Sequence, residues 1–76
     1  MILDNTCLNR KLLVKKLNTN DSELIKKMNN IGLYENQIVK VLDKKSSKHI
    51  IHLQIYNVEY AFRINDLKFI DFENVK

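Results

Sequence analysis

The segment over residues 21–42 constrains the fold most, because it holds the only glycine of a chain that has no proline. Its first half carries apolar residues at the spacing of one face of an amphipathic helix: Leu24, Ile25, Met28 and Ile31. Gly32 follows at the point where a helix needs a left-handed residue in order to end. A β-branched run then starts, with Ile38, Val39, Val41 and Leu42. The segment therefore predicts a helix that ends at glycine and leads directly into a strand.

The start of this helix has more than one candidate cap. Asp21 or Ser22 can cap it, because a short side-chain oxygen at that position accepts a hydrogen bond from a backbone N–H that has no partner within the helix. Asn20 with Glu23 three residues later is a second capping pattern. The apolar face predicts a helix that lies across one end of the domain and buries three side chains: Leu24, Met28 and Ile31.

Alternating apolar and polar residues predict the strands. They place strands over residues 12–17, 37–43, 51–55, 58–64 and 69–72. A tight turn separates the third and fourth of these, and a 3₁₀ turn is expected at 65–67. The resulting order is β-α-β-β-β-β. Five short strands with one apolar face predict a small SH3-like β-barrel whose closure removes exposed edges, with an OB-fold as the nearest competitor.

Length and charge limit the classes of protein that are compatible with the chain. Its 76 residues predict a single domain over residues 1–76. The net charge is +4, but eleven of the thirteen basic residues are lysines, which more often form a solvated surface than a nucleic-acid interface. We therefore expect no nucleic acid as a partner, and keep a small basic barrel that binds nucleic acid as an alternative. No apolar run reaches the length of a membrane span, so we expect a soluble protein that does not insert into the membrane.

The order of elements resembles the FeoA domain of bacterial ferrous iron transport. LDNTCLNRKLLVKKL matches the opening turn and first strand, LIKKMNNIGLYENQIVKVL the helix and second strand, and LQIYNVEYAFRINDLKFIDF the hairpin and closing strand. Three turn glycines of the family pattern are replaced here by Asn9, Asn36 and Asn57, and only the helix-ending glycine is kept, as Gly32. Asparagine tolerates positive φ better than other residues with a β-carbon, so the replacements predict the same backbone.

The resemblance implies a small cytoplasmic accessory protein of ferrous iron uptake. Its implied partner is the membrane ferrous iron permease FeoB, whose cytosolic part is a GTPase domain. Docking on that partner would recruit the protein to the inner face of the membrane and modulate uptake through protein–protein contacts. Weak self-association is an open alternative, because so small a barrel can leave an apolar edge at its surface.

The residues themselves indicate little catalytic chemistry. Cys7 with His49 or His52 is the only nucleophile pair to consider, and no surrounding motif supports its activation. The two histidines are three residues apart in a predicted strand, so they are expected on opposite faces, where they cannot chelate Fe(II) together. We therefore predict no catalytic residue, no cofactor and no metal site, and the chain is not expected to be an enzyme. A weak transition-metal-binding regulator is kept as a further alternative.

Partner binding is the function that the residues favour. Tyr34 and Tyr56 have no place in the apolar alternation, and exposed tyrosines are common interface anchors. Lys44, Lys45 and Lys48, in a polar loop, could steer the protein towards an acidic partner or an anionic membrane surface. These five residues are the predicted partner-binding set.

Overall fold

The computed structural model describes Leu3, residues 7–44 and residues 48–75. In this part of the chain the elements follow the order β1 (Lys11–Leu17), α1 (Ser22–Asn30), β2 (Ile38–Val41), β3 (Ile50–Ile55), β4 (Val58–Arg63) and β5 (Ile70–Asn74). A 3₁₀ turn over Ile64–Leu67 connects the last two strands. The predicted order of one helix after the first of five strands is confirmed, with differences of at most two residues at the strand ends.

The five strands form one antiparallel sheet in the order β4-β3-β2-β1-β5. This is an SH3-like meander in which the last strand pairs back onto the first. No pairing between β4 and β5 closes the sheet in the described residues, so both remain edge strands. The SH3-like fold is therefore confirmed, whereas the expected removal of every edge by closure is not seen.

A β-bulge in β1 explains how this strand keeps its apolar residues on one side. Val14 lies opposite Phe72 and Lys16 lies opposite Asp71, so β1 has one extra residue, Lys15, at this point. A bulge changes which face each later residue points to and bends the strand. As a result Leu17, an odd number of residues after the buried Val14, also packs against the core.

The core lies on the inner face of the sheet and contains aliphatic residues from all strands except β4. Its fully buried side chains, in order of size, are Phe72, Leu12, Leu33, Leu53, Ile55, Leu67, Val14, Val39, Val41 and Cys7. Tyr60 and Phe62 of the edge strand β4 are half-buried against this core, with ring centroids 6.0 Å apart. The sheet alone therefore supplies most of the apolar burial that stabilises the fold.

Helix α1 begins at a well-formed cap. Asp21 Oδ1 accepts hydrogen bonds from the backbone N–H groups of Glu23 and Leu24, each at 3.1 Å. The Asp21 N–H in turn donates to Thr19 Oγ1 at 3.1 Å. Of the candidate caps, Asp21 is therefore the one used, because its carboxylate satisfies two N–H groups that the first turn leaves unpaired.

The prediction that α1 buries Leu24, Met28 and Ile31 is wrong, because these side chains are only partly buried. No residue of α1 is buried; Leu24 and Met28 are half-buried, as is Ile31 just after the helix. Met28 and Ile31 do pack against the core. The physical reason is that the chain enters the core immediately after the helix, through the fully buried Leu33, so α1 is attached to the sheet mainly by its C-terminal end.

Positive φ angles occur at three of the four expected turn positions. Gly32 has φ 99°, Asn9 has φ 65° and Asn36 has φ 73°. The exception is the β3–β4 hairpin, where Tyr56 has φ 56° and Asn57 is not in the left-handed region. Ile55 pairs with Val58, which leaves a two-residue turn, and positive φ at its first central residue alone is the φ pattern of a type II′ turn. The type of this turn thus gives the positive φ to the tyrosine and not to the asparagine.

Candidate docking surface

The end of α1 forms a Schellman motif that carries the chain against the β3–β4 hairpin. The Leu33 N–H donates to the Met28 carbonyl at 2.8 Å, and the Gly32 N–H donates to the Asn29 carbonyl at 3.1 Å. A β-carbon on residue 32 would lie 2.6 Å from Ile55 Cγ2 and 3.0 Å from Tyr56 Cε2. The absence of a side chain at Gly32 therefore lets the Tyr56 ring lie close against the helix end.

Tyr34 and Tyr56 are joined to each other and to β2 by a chain of hydrogen bonds. Their hydroxyl groups are hydrogen-bonded to one another. Gln37 Nε2 donates to the Tyr34 hydroxyl at 3.1 Å, and Gln37 Oε1 accepts from the Ile38 N–H at 3.1 Å. These hydrogen bonds hold both rings in one arrangement at the surface, although Tyr34 is 36% exposed and Tyr56 is 65% exposed. Two tyrosines that were predicted separately as anchors thus form one ordered pair.

The contact between the two hydroxyl groups also changes the acidity of one of them. The hydrogen bond to Tyr56 raises the pKa of Tyr34, and partial desolvation and the charge that Tyr56 can carry act in the same direction. The pair therefore favours the protonated form of the Tyr34 hydroxyl, and either of the two hydroxyl groups can donate in the bond between them.

The described lysines of the predicted set lie at different places: Lys44 pairs with Glu59, close to the β3–β4 turn, and Lys48 lies away from the tyrosines. Lys44 Nζ lies 2.7 Å from Glu59 Oε1 and 2.8 Å from Glu59 Oε2, so this lysine is held on β4. Lys48 lies just before β3, in a groove with Arg63 and Asn65. Tyr56 follows the other end of the six-residue β3, roughly 20 Å away at the usual rise per residue. Lys45 lies outside the described residues.

Sequence reasoning missed the apolar surface next to Tyr56. Ile38 is 48% exposed and Val75 is 39% exposed, and both line an open groove of about 340 Å³ with Tyr56. We call this the outer groove; its other lining residues are Lys11, Gln37, Val39, Lys40 and Gln54. The alternation in β2 indicates this surface: Val39 and Val41 face the core, so Ile38 and Lys40 must face outward.

The residues considered for chemistry lie in three different environments. Cys7 is a core residue that is 1% exposed. His49 lies in the turn before β3, and His52 lies on the outer face of β3 opposite Ala61. Within residues 7–44, residues 48–75 and Leu3, no three histidine, cysteine or acidic side chains are grouped so that they could hold a metal ion. In the same residues no helix has the length and apolar character to cross a membrane.

Comparison with known proteins gives a similarity to a solved structure. No protein-family model matches the sequence, and no curated protein matches it in a sequence comparison. Among solved structures, the NMR structure of a FeoA-like protein from Clostridium acetobutylicum superposes with a TM-score of 0.74 over 91% of this chain and 79% of that chain. The two sequences are 17% identical over this match, which is a similarity of fold. The chain therefore has the fold of a FeoA-like protein, as the resemblance in its sequence implied.

Proposed function

We propose that this protein is a cytoplasmic accessory of ferrous iron uptake that acts by binding another protein. The fold shared with a FeoA-like protein supports the pathway. The observation that carries the binding role is the Tyr34–Tyr56 pair, two aromatic rings ordered by hydrogen bonds while they remain exposed. Pre-ordered tyrosines lose little conformational entropy on binding, which is why they are frequent anchors at interfaces.

The partner proposed is the cytosolic GTPase domain of the ferrous iron permease FeoB. An accessory modulates such a domain only if it binds one of its nucleotide states more tightly than the other. We therefore expect affinity for the GDP-bound and GTP-analogue-bound domain to differ. Binding to a membrane permease would also bring this protein to the inner face of the membrane, without any insertion of its own.

The test is an amide NMR titration of the labelled protein with the soluble GTPase domain in each nucleotide state. We expect shifts centred on Tyr34 and Tyr56, and we expect Tyr56→Ala to weaken binding. Val58→Ala is the matched control, because Val58 is an apolar residue beside the same turn and is 51% exposed. Absence of any shift at several hundred micromolar domain would overturn the proposal, and so would equal weakening by both variants.

A further inference from the structure

Two lysines of the outer groove face each other on adjacent strands. Lys11 of β1 and Lys40 of β2 are directly opposed in the antiparallel register and lie on the outer face. Like charges in directly opposed positions destabilise a sheet. Among the described residues neither ammonium group makes an ion pair: Lys44 takes Glu59, and Glu73 lies opposite Leu13 instead. The fold itself thus gains nothing from this arrangement.

Between these lysines and the hairpin, the groove exposes apolar side chains on a rigid backbone. Ile38 is 48% exposed and Val75 is 39% exposed. The Val75 N–H donates to the Lys11 carbonyl at 3.2 Å, and the Gln37 carbonyl accepts from the Val14 N–H at 2.8 Å. The groove is therefore preformed, with an apolar centre, two cations on its floor and the Tyr56 ring at its side.

We propose that the outer groove binds an acidic segment of a partner protein that places one apolar side chain between Ile38 and Val75. Carboxylates beside that side chain would pair with Lys11 and Lys40 and remove their mutual repulsion. The inference deepens the proposed function and rests on it only in taking the partner to be a protein. Charge complementarity selects the acidic class, and the exposed apolar centre favours a peptide side chain over phosphates.

A second copy of this chain fits the groove less well than an acidic partner. Two copies that met through this face would bring four lysine ammonium groups together, which opposes association. A nucleic acid would use the lysines but leave Ile38 and Val75 without a complementary group. Both occupants are outcomes of the test below.

The experiment titrates the labelled full chain with three short synthetic peptides and an oligothymidylate. The first peptide is acidic with one central leucine, the second replaces each glutamate by glutamine, and the third replaces the leucine by serine. We expect only the first to shift the amides of Lys11, Ile38, Lys40 and Val75 at several hundred micromolar. The proposal is overturned if the first peptide binds elsewhere or not at all, if the oligonucleotide shifts these amides more strongly, or if they shift with protein concentration alone.

Charge variants separate binding from folding. Lys11→Gln with Lys40→Gln should weaken the first peptide about fivefold, the effect of two exposed ion pairs. Lys26→Gln with Lys27→Gln, two exposed lysines of α1, is the matched control and should leave the affinity unchanged. Lys40→Glu should weaken binding further while its melting temperature stays equal to or above that of the wild type, because an opposed Lys–Glu pair replaces an opposed Lys–Lys pair. Equal weakening by the α1 variant would overturn the proposal.

Failure of the groove proposal and failure of the proposed accessory function give different results in these titrations. If the GTPase domain shifts Tyr34 and Tyr56 but the acidic peptide leaves the groove unchanged, the groove proposal fails and the accessory role stands. If the peptide occupies the groove but the GTPase domain does not bind, the groove recognises acidic protein segments and the iron-uptake assignment fails.

Discussion

Gly32 packs directly against Ile55, so that a β-carbon on residue 32 would lie 2.6 Å from Ile55 Cγ2. This contact between Gly32 and Ile55 joins the end of the helix to the end of β3. It also places the Tyr56 ring where its hydroxyl meets that of Tyr34. One residue without a side chain thus determines both how α1 is attached and how the exposed tyrosine pair is built.

Replacing Gly32 should be strongly destabilising. Gly32→Ala adds strain at a φ of 99° and a clash with Ile55, and we expect a loss of about 1–3 kcal/mol in the free energy of unfolding. Gly32→Val should lose more, because a β-branched residue is still less tolerant of positive φ. Urea unfolding measures both, with Asn29→Ala on the exposed helix surface as the control. A Gly32→Ala protein as stable as the wild type would contradict the Schellman geometry.

Residues on either side of the helix end should differ in their contribution to stability. Leu33 is fully buried, so Leu33→Ala should cost about 2–5 kcal/mol. Met28 is only half-buried, and Met28→Ala should therefore cost less than about 2 kcal/mol. Chemical denaturation of the two variants gives the comparison. A larger loss for Met28→Ala would show that the helix face, and not the residue after Gly32, is the main attachment to the core.

The weak attachment of α1 should also appear in its dynamics. Because no α1 residue is buried, this helix should open more readily than the sheet. Hydrogen exchange should therefore be faster for the amides of α1 than for those of β1, an interior strand that pairs with both β2 and β5. Equal protection of the two elements would mean that they unfold only together.

The Tyr34–Tyr56 hydrogen bond should be visible in a pH titration. Its effect is to raise the pKa of Tyr34, whereas the unfolded chain titrates near the ordinary value of about 10. The stabilisation is therefore fully present below pH about 10 and is lost as the pH rises through the raised pKa. Carbon-13 NMR of labelled tyrosine follows each ring. In Tyr56→Phe the pKa of Tyr34 should fall towards the ordinary value, and an unchanged pKa would contradict the assigned cause.

The Lys44–Glu59 ion pair should contribute little, because both side chains are about half exposed, at 53% and 49%. A double-mutant cycle with Lys44→Gln and Glu59→Gln should give a coupling of about 0.2–1 kcal/mol that decreases in high salt. A coupling well above that range, or one insensitive to salt, would show a pair less solvated than its exposure indicates.

Local sequence rules predicted much of the fold. The spacing of Leu24 and Met28, the cap at Asp21 and the glycine at 32 specify a helix with both of its ends, because helix periodicity and capping depend on neighbouring residues. Alternation likewise placed β3 and β4 to within about a residue. The asparagines at 9 and 36 indicated left-handed turns for the same local reason, which is that few residues with a β-carbon tolerate positive φ.

Tertiary structure decided the features that depend on residues distant in sequence. The two residues of the β3–β4 turn are the predicted ones, but the type of the turn gave the positive φ to Tyr56 instead of Asn57. The pairing of β1 with β2 also opposed Lys11 to Lys40. The sequence by itself therefore determined the elements and their order, since these follow from contacts within a few residues. Only the paired sheet determined which side chains meet at its surface, because register is a property of two strands and not of one.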